Sequence, residues 1–210
     1  MKLYDFGPAV NAQRVRVFLA EKGLEVPTEQ LNVRENHQFA EPFTSMNPFH
    51  CVPFLELDDG TVIAESVSIC RYFEELHPEP ALFGATAEER ARVDMWQRRF
   101  ELDGFLPLLH AVRNHVPMFA GRVVPGTRTD LPQLPEMVNR GKEMTEVFLG
   151  RLEPHMAGNE FVAGSTLSVA DITGFFALRM ATMLGMDIAA SSPSVAAWFA
   201  RVSARPAFQL

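Results

Sequence analysis

Between residues 78 and 87 the chain changes character, and that change limits its folding more than any other feature. Before it, short runs of β-type alternation take turns with segments of helical spacing; after it, no convincing strand occurs. "KLYDF" alternates as a strand does, and "NAQRVRVFLAEKG" sets Ala12, Val15, Phe18 and Leu19 at helical spacing before Lys22 and Gly23 close it. "VPTEQLNV" predicts a second strand, and the polar "RENHQFAEPFTSMNP" a loop holding a short helix. "PFLEL" and "VIA" flank "DDGT", whose Asp-Gly supplies the positive φ that a tight hairpin needs. In "ESVSICRYFEEL", Ile69, Tyr72, Phe73 and Leu76 share one helical face, and His77-Pro78 ends the helix.

The order is βαβαββα. A crossover after the first strand implies a parallel pair and the hairpin adds antiparallel strands, so a mixed four-stranded sheet covered by helices is expected. Beyond it, helical patterns run over 87–119, with Pro107 and Pro117 as kinks, then 133–157, 169–185 and 194–204, leaving 120–132 as the longest irregular piece. We therefore expect an α/β plus all-α protein: a domain at 1–78, a linker at 79–86 and an all-helical domain at 87–210. Within the latter, "TLSVADITGFF" pairs Ser168 with Asp171 at the spacing of a helix-capping box, flanked by Leu167 and Ile172 as a hydrophobic staple. Capping accounts for Asp171 better than acid catalysis does.

A formal charge of −7 gives no basic footprint, which argues against nucleic acid or an anionic membrane as partner. The first residues lack the apolar core of a signal peptide and no run is long enough to span a membrane, so a soluble cytoplasmic protein is expected. Cys51 and Cys70 are too few for a disulfide framework and too far apart for a CxxC pair; they are expected to be buried, and redox chemistry must borrow its sulfur. His110 and His115 are five residues apart and do not share a helical face, so no metal site is expected.

The half carrying "NPFHCVPFLELDDGTVIAES", followed by the half carrying "FVAGSTLSVADI", resembles the cytosolic glutathione transferases over essentially the whole chain. The resemblance implies a thioredoxin-like N-terminal domain that holds glutathione as cosubstrate, a helical C-terminal domain that supplies most of the second substrate's pocket, and a homodimer. It also implies a cis Val52-Pro53 bond, with the backbone of Val52 pairing with the cysteinyl part of glutathione as in strand addition. Glu65 and Ser66 stand where the hairpin enters a helix, whose free N–H groups and partial positive charge suit the γ-glutamyl carboxylate; Glu65 suits the ammonium. For the glycine carboxylate the family uses the loop around the second helix, where Arg34, His37, Gln38 and His50 are available and Gln38 is the first choice.

Family members activate the thiol with a Tyr, Ser or Cys near the first helix. Here the corresponding positions hold Phe6, Ala9, Val10 and Asn11, so the usual hydroxyl and thiol are absent. "AVNAQRV" most resembles "TPNGQKV" of the bacterial nu-type members, whose Asn faces the sulfur; Asn11 is that residue here. A thiol of ordinary pKa must drop about two units to be mostly ionised at neutral pH, roughly 3 kcal/mol of preferential stabilisation. One hydrogen bond to a charged group contributes roughly 1.5–3 kcal/mol and a helix N-terminus about 0.3–1 more. The sum suffices without margin. Asn is also a preferred helix cap, so capping is the competing explanation, and Tyr4 is a rival donor. Of Arg14 and Arg16, Arg14 is the expected source of positive potential.

For the second substrate, Phe6 and Ala9 join residues of "RVDMWQRRFELDGFLPLLHAVRNHVPMF", of which His110 and Arg113 are the polar choices. The function expected is attack of the glutathione thiolate on small electrophiles, with peroxides or disulfides as further targets. The alternative is a non-catalytic glutathione-binding or hydrophobic-ligand-binding protein on the same fold.

Overall fold

Strand β1 (Lys2–Asp5) is central in a four-stranded sheet of order β2-β1-β3-β4. In this computed structural model, which describes residues 1–209, β1 runs parallel to β2 (Thr28–Gln30) and antiparallel to β3 (Phe54–Glu56), which pairs antiparallel with β4 (Val62–Ala64). The mixed sheet is the one the sequence predicts. Gly60, at φ 85°, makes the hairpin reversal, and Leu57 N–H closes it on Thr61 O at 2.8 Å.

Helices α1 (Val10–Glu21) and α3 (Ser66–Leu76) pack together, while α2 (Phe43–Met46) is a single turn. Val15, Val17, Phe18, Ile69, Cys70 and Phe73 form the buried apolar part of these helices. At one end, Lys22 Nζ meets Glu74 at 2.7 Å and donates to His77 O at 2.6 Å and Pro80 O at 2.7 Å. Three acceptors around a buried ammonium satisfy its donors and tie down the chain leaving α3.

The described residues divide into two compact units: Met1–Ala81 with Pro125–Thr127, and Leu82–Val124 with Arg128–Gln209. The second unit is helical: α4 (Ala87–Arg99), α5 (Leu106–His115), α6 (Pro135–Met156), α7 (Val169–Met183), α8 (Ile188–Ser191) and α9 (Pro193–Ser203). The break expected at Pro107 is a π-helical turn at Phe100–Phe105. Proline has no N–H to return to the preceding turn and its ring crowds the carbonyl there, so the widening just ahead of Pro107 follows. Gly174 on α7 lets Trp198 and Phe100 approach: a Cβ there would stand 2.6 Å from the indole and 2.8 Å from the phenyl ring.

Asp171 is fully buried and does more than close a helix. It accepts from Ser168 N–H at 2.9 Å, as expected, but also from Ser168 Oγ–H at 2.8 Å, Val162 N–H at 2.8 Å and Trp198 Nε1–H at 2.9 Å. A further capping box, Thr86 with Glu89, opens α4, and Asp187 caps α8. The carboxylate of Glu153 on α6 receives Ser194 N–H at 2.8 Å and Val195 N–H at 3.0 Å, closing the start of α9 from another helix.

Candidate active site

Two helix starts in the first unit are left open, in contrast to α4, α7, α8 and α9. Helix α1 begins after Ala9, whose methyl group accepts nothing, and the N–H groups of Val10, Asn11 and Ala12 have no partner among the described residues. Helix α3 begins after Glu65, whose side chain makes no capping bond, and the N–H groups of Ser66, Val67 and Ser68 are likewise unpartnered among the described residues. An open helix start concentrates donors and partial positive charge, the chemistry that holds an anion.

Asn11 is the second residue of α1 and not its cap, so capping does not explain it. Its side chain is half-buried and makes no hydrogen bond among the described residues. Tyr4 is no longer a rival: it is buried against Phe54 and Phe43, and its hydroxyl donates to Glu56 at 2.8 Å. Burial and the Glu56 carboxylate push its pKa up, the wrong direction for an acid that assists ionisation. Phe6 lies just beyond β1, half-buried beneath the Arg34 guanidinium, and Ala9 is half-buried at the helix start.

Glu65 has φ 69° and ψ 121°, a backbone conformation that a residue with a side chain rarely adopts. Such strain costs on the order of 1–3 kcal/mol and persists where its surroundings impose it, often at ligand sites. Next to it Ser66 is buried, and Arg14, only 2% exposed, donates from Nη1 to Ser66 Oγ at 3.2 Å. A guanidinium can only donate, so Ser66 Oγ accepts here and its proton is not used in this contact. Arg14, the expected source of positive potential, turns to the start of α3, and Arg16 turns to the loop after β1.

The Val52-Pro53 bond is cis, and neither the N–H nor the C=O of Val52 has a partner among the described residues. What shapes the approach to it is Asn47, which the sequence reading passed over despite the turn signal of Asn47-Pro48. Its buried amide donates to Cys51 O at 2.9 Å and accepts from Phe49 N–H at 3.2 Å, while His50 N–H closes on Asn47 O at 3.0 Å. His50 takes φ 50° in this turn, and its ring packs on Phe39 with centroids 5.0 Å apart. Gln38 is 5% exposed, and its Oε1 has no partner among the described residues. His37 lies exposed beside Glu35 at 3.3 Å.

Both cysteines are free thiols. Cys70 is fully buried and its pKa is pushed up to about 12 by that burial, so it is inert; Cys51, expected to be buried, is half-exposed instead. In the second unit His110 is exposed on α5, whereas Arg113 donates from Nε to Val123 O at 3.2 Å and from Nη2 to Arg122 O, pinning the loop after α5. Among the described residues no cluster of metal-ligating side chains occurs and no helix is long and apolar enough to cross a membrane.

A mixed-sheet unit with open helix starts, a cis proline at β3 and a helical unit define the glutathione transferase architecture, and comparison with known proteins agrees. The family model described as Glutathione S-transferase, N-terminal domain, matches residues 10–76, and that described as Glutathione S-transferase, C-terminal domain, matches 114–206. A glutathione S-transferase domain-containing protein of Marinobacter aquaeolei VT8 is 35% identical, covering 100% of both chains with a TM-score of 0.86. A glutathione S-transferase of class Gtt2 from Vibrio parahaemolyticus is 37% identical, covering 100% of this chain and 96% of its own, with a TM-score of 0.84. Glutathione S-transferase 2 of Saccharomyces cerevisiae is 29% identical over 208 residues, 98% of this chain and 87% of its own. The chain belongs to the glutathione S-transferase family. The nu-type likeness rests on the α1 motif alone.

Proposed function

We propose that this glutathione transferase binds glutathione in its first unit and ionises the thiol at the start of α1 with a carboxamide in place of a hydroxyl. Asn11 Nδ2–H and the N–H groups of Val10, Asn11 and Ala12 stabilise the thiolate. The observation that carries this reading is the open start of α1: no side chain caps it, and Asn11 stands within it unengaged among the described residues. Val52 holds the cysteinyl backbone and Pro53 fixes the strand that presents it. Ser66 and the N–H groups of α3 take the γ-glutamyl carboxylate, Glu65 its ammonium, and Gln38 with His50 the glycine carboxylate.

The thiolate then attacks a small electrophile: a carbon–sulfur bond forms, the leaving group departs with its electron pair, and the thiol proton passes to solvent. Phe6 and Ala9 give the thiol an apolar margin, which suits an apolar electrophile. Peroxides and disulfides are further targets for the same sulfur. Family membership supports a homodimer and a role in detoxification within the cytoplasm.

Titrating the thiolate absorbance of bound glutathione tests the reading. Wild-type protein is expected to lower the thiol pKa, and Asn11→Ala to weaken that effect by about tenfold in thiolate fraction at neutral pH. Binding without any lowering in the wild type is the outcome that makes the protein a non-catalytic binder.

A further inference from the structure

The loop between β1 and α1 is held by a closed cycle of four groups. Gln30, at the end of β2, accepts Gly7 N–H on Oε1 at 2.9 Å and donates from Nε2 to Asp5 Oδ2 at 2.9 Å. Arg16, in the second turn of α1, donates from Nη1 to the same Asp5 oxygen at 2.7 Å and from Nη2 to Gly7 O at 2.6 Å. Gln13 adds a donor to Gly7 O at 3.2 Å. Both polar atoms of one peptide residue are thus gripped by side chains from two other elements, around a carboxylate that is fully buried.

Stability alone does not explain this arrangement. A buried ion pair adds little to stability compared with apolar residues of similar size, and its best-attested use is to specify one geometry. Nor does Gly7 need to be glycine, since a Cβ there would find only ordinary contacts at 3.9 Å. The cycle does what a helix cap would do, from further out. A side-chain cap on α1 would occupy the N–H groups of its first turn, whereas gripping Gly7 fixes where the helix begins and leaves those groups open.

We propose that Gln30 and Arg16, joined through Asp5, are positioning residues for thiol activation: they fix the Gly7 loop so that Asn11 and the first N–H groups of α1 are pre-aligned for the thiolate. This rests on the reading that the thiol lies at the start of α1. Preorganised donors stabilise a developing anion without reorganisation, so loosening the loop weakens ionisation more than it weakens binding.

Gln30 is exposed on an edge strand, so Gln30→Leu leaves the core intact; Arg16→Lys keeps the charge but lacks the fork that reaches Asp5 and Gly7 together. Thiolate titration and glutathione affinity are measured for both variants, with Asn11→Ala alongside and thermal melting to confirm folding. Expected is about tenfold less thiolate at neutral pH in each clamp variant, with affinity changed by less than about threefold. Clamp variants that titrate like a wild type whose thiol pKa is lowered overturn the proposal alone. So does a loss of affinity as large as the loss of thiolate, which marks a merely structural role. A wild type that leaves the thiol pKa unshifted overturns the parent reading and this proposal together. Clamp variants that fall while Asn11→Ala does not leave the clamp standing and remove Asn11 from the account.

Discussion

At the scale of single residues, hydrogen-bond capacity separates the groups free to meet a ligand from those already engaged. Tyr4 has given its only proton to Glu56, whereas Asn11 keeps both amide hydrogens. Tyr4→Phe should therefore leave the titration of bound glutathione unchanged while lowering stability by about 1.5–3 kcal/mol, the usual net worth of a hydrogen bond to a charged group, read by denaturant unfolding. The thiols divide in the same way. Iodoacetamide should alkylate Cys51 in the native protein and spare Cys70 until the chain unfolds, because a buried thiol with its pKa pushed up to about 12 offers no thiolate. Peptide mass spectrometry distinguishes the two. Asn11 itself was ambiguous in the sequence because a cap and a second helical residue differ by two positions, within the uncertainty of any helix boundary. The backbone resolves it by starting α1 after Ala9.

At the scale of elements, periodicity was enough to read β1, α1, the Asp-Gly hairpin, α3 and the Ser168–Asp171 box, because each is encoded within a few residues. What escaped is encoded over long separations. The Arg14–Ser66 contact spans 52 positions and the cap of α9 by Glu153 spans 41, and no local pattern announces either. The π turn before Pro107 was legible as a kink but not in kind. The α9 cap carries its own pH signature. Burial opposes ionisation of Glu153, but donors from Ser194 and Val195 outweigh it and hold its pKa below the ordinary 4.5. A carboxylate with a depressed folded-state pKa stabilises the fold above its unfolded value, and that contribution is lost as pH falls through the folded one. Glu153→Ala should lower the melting temperature by a few degrees at neutral pH, and the gap to wild type should close as pH falls from about 5 to about 3.

At the scale of the whole molecule, the chain returns once to its first unit among the described residues. Pro125–Thr127 belongs there although the residues on either side belong to the second. Gly126, at φ 69°, lies so close to Phe49 that a Cβ would come within 2.0 Å of its carbonyl oxygen and 3.0 Å of Cys51 Sγ. Gly126→Ala must push this segment off the turn that leads into Val52. We expect weaker glutathione binding with little change in the thiol pKa of what remains bound, measured by calorimetry and by titration. The two-part plan was visible in the sequence as a change of texture. The return of Gly126 was not, since a glycine in an irregular stretch signals a turn and says nothing of what it touches.

The central claim is that a carboxamide, and not an alcohol or a thiol, faces the sulfur. A crystal structure with glutathione bound tests it most directly. The account predicts Asn11 Nδ2 within about 3.5 Å of the glutathione sulfur and no protein hydroxyl nearer, the range of a hydrogen bond to sulfur. A sulfur turned away from the start of α1, with some other side chain or a fixed water as its nearest donor, contradicts it.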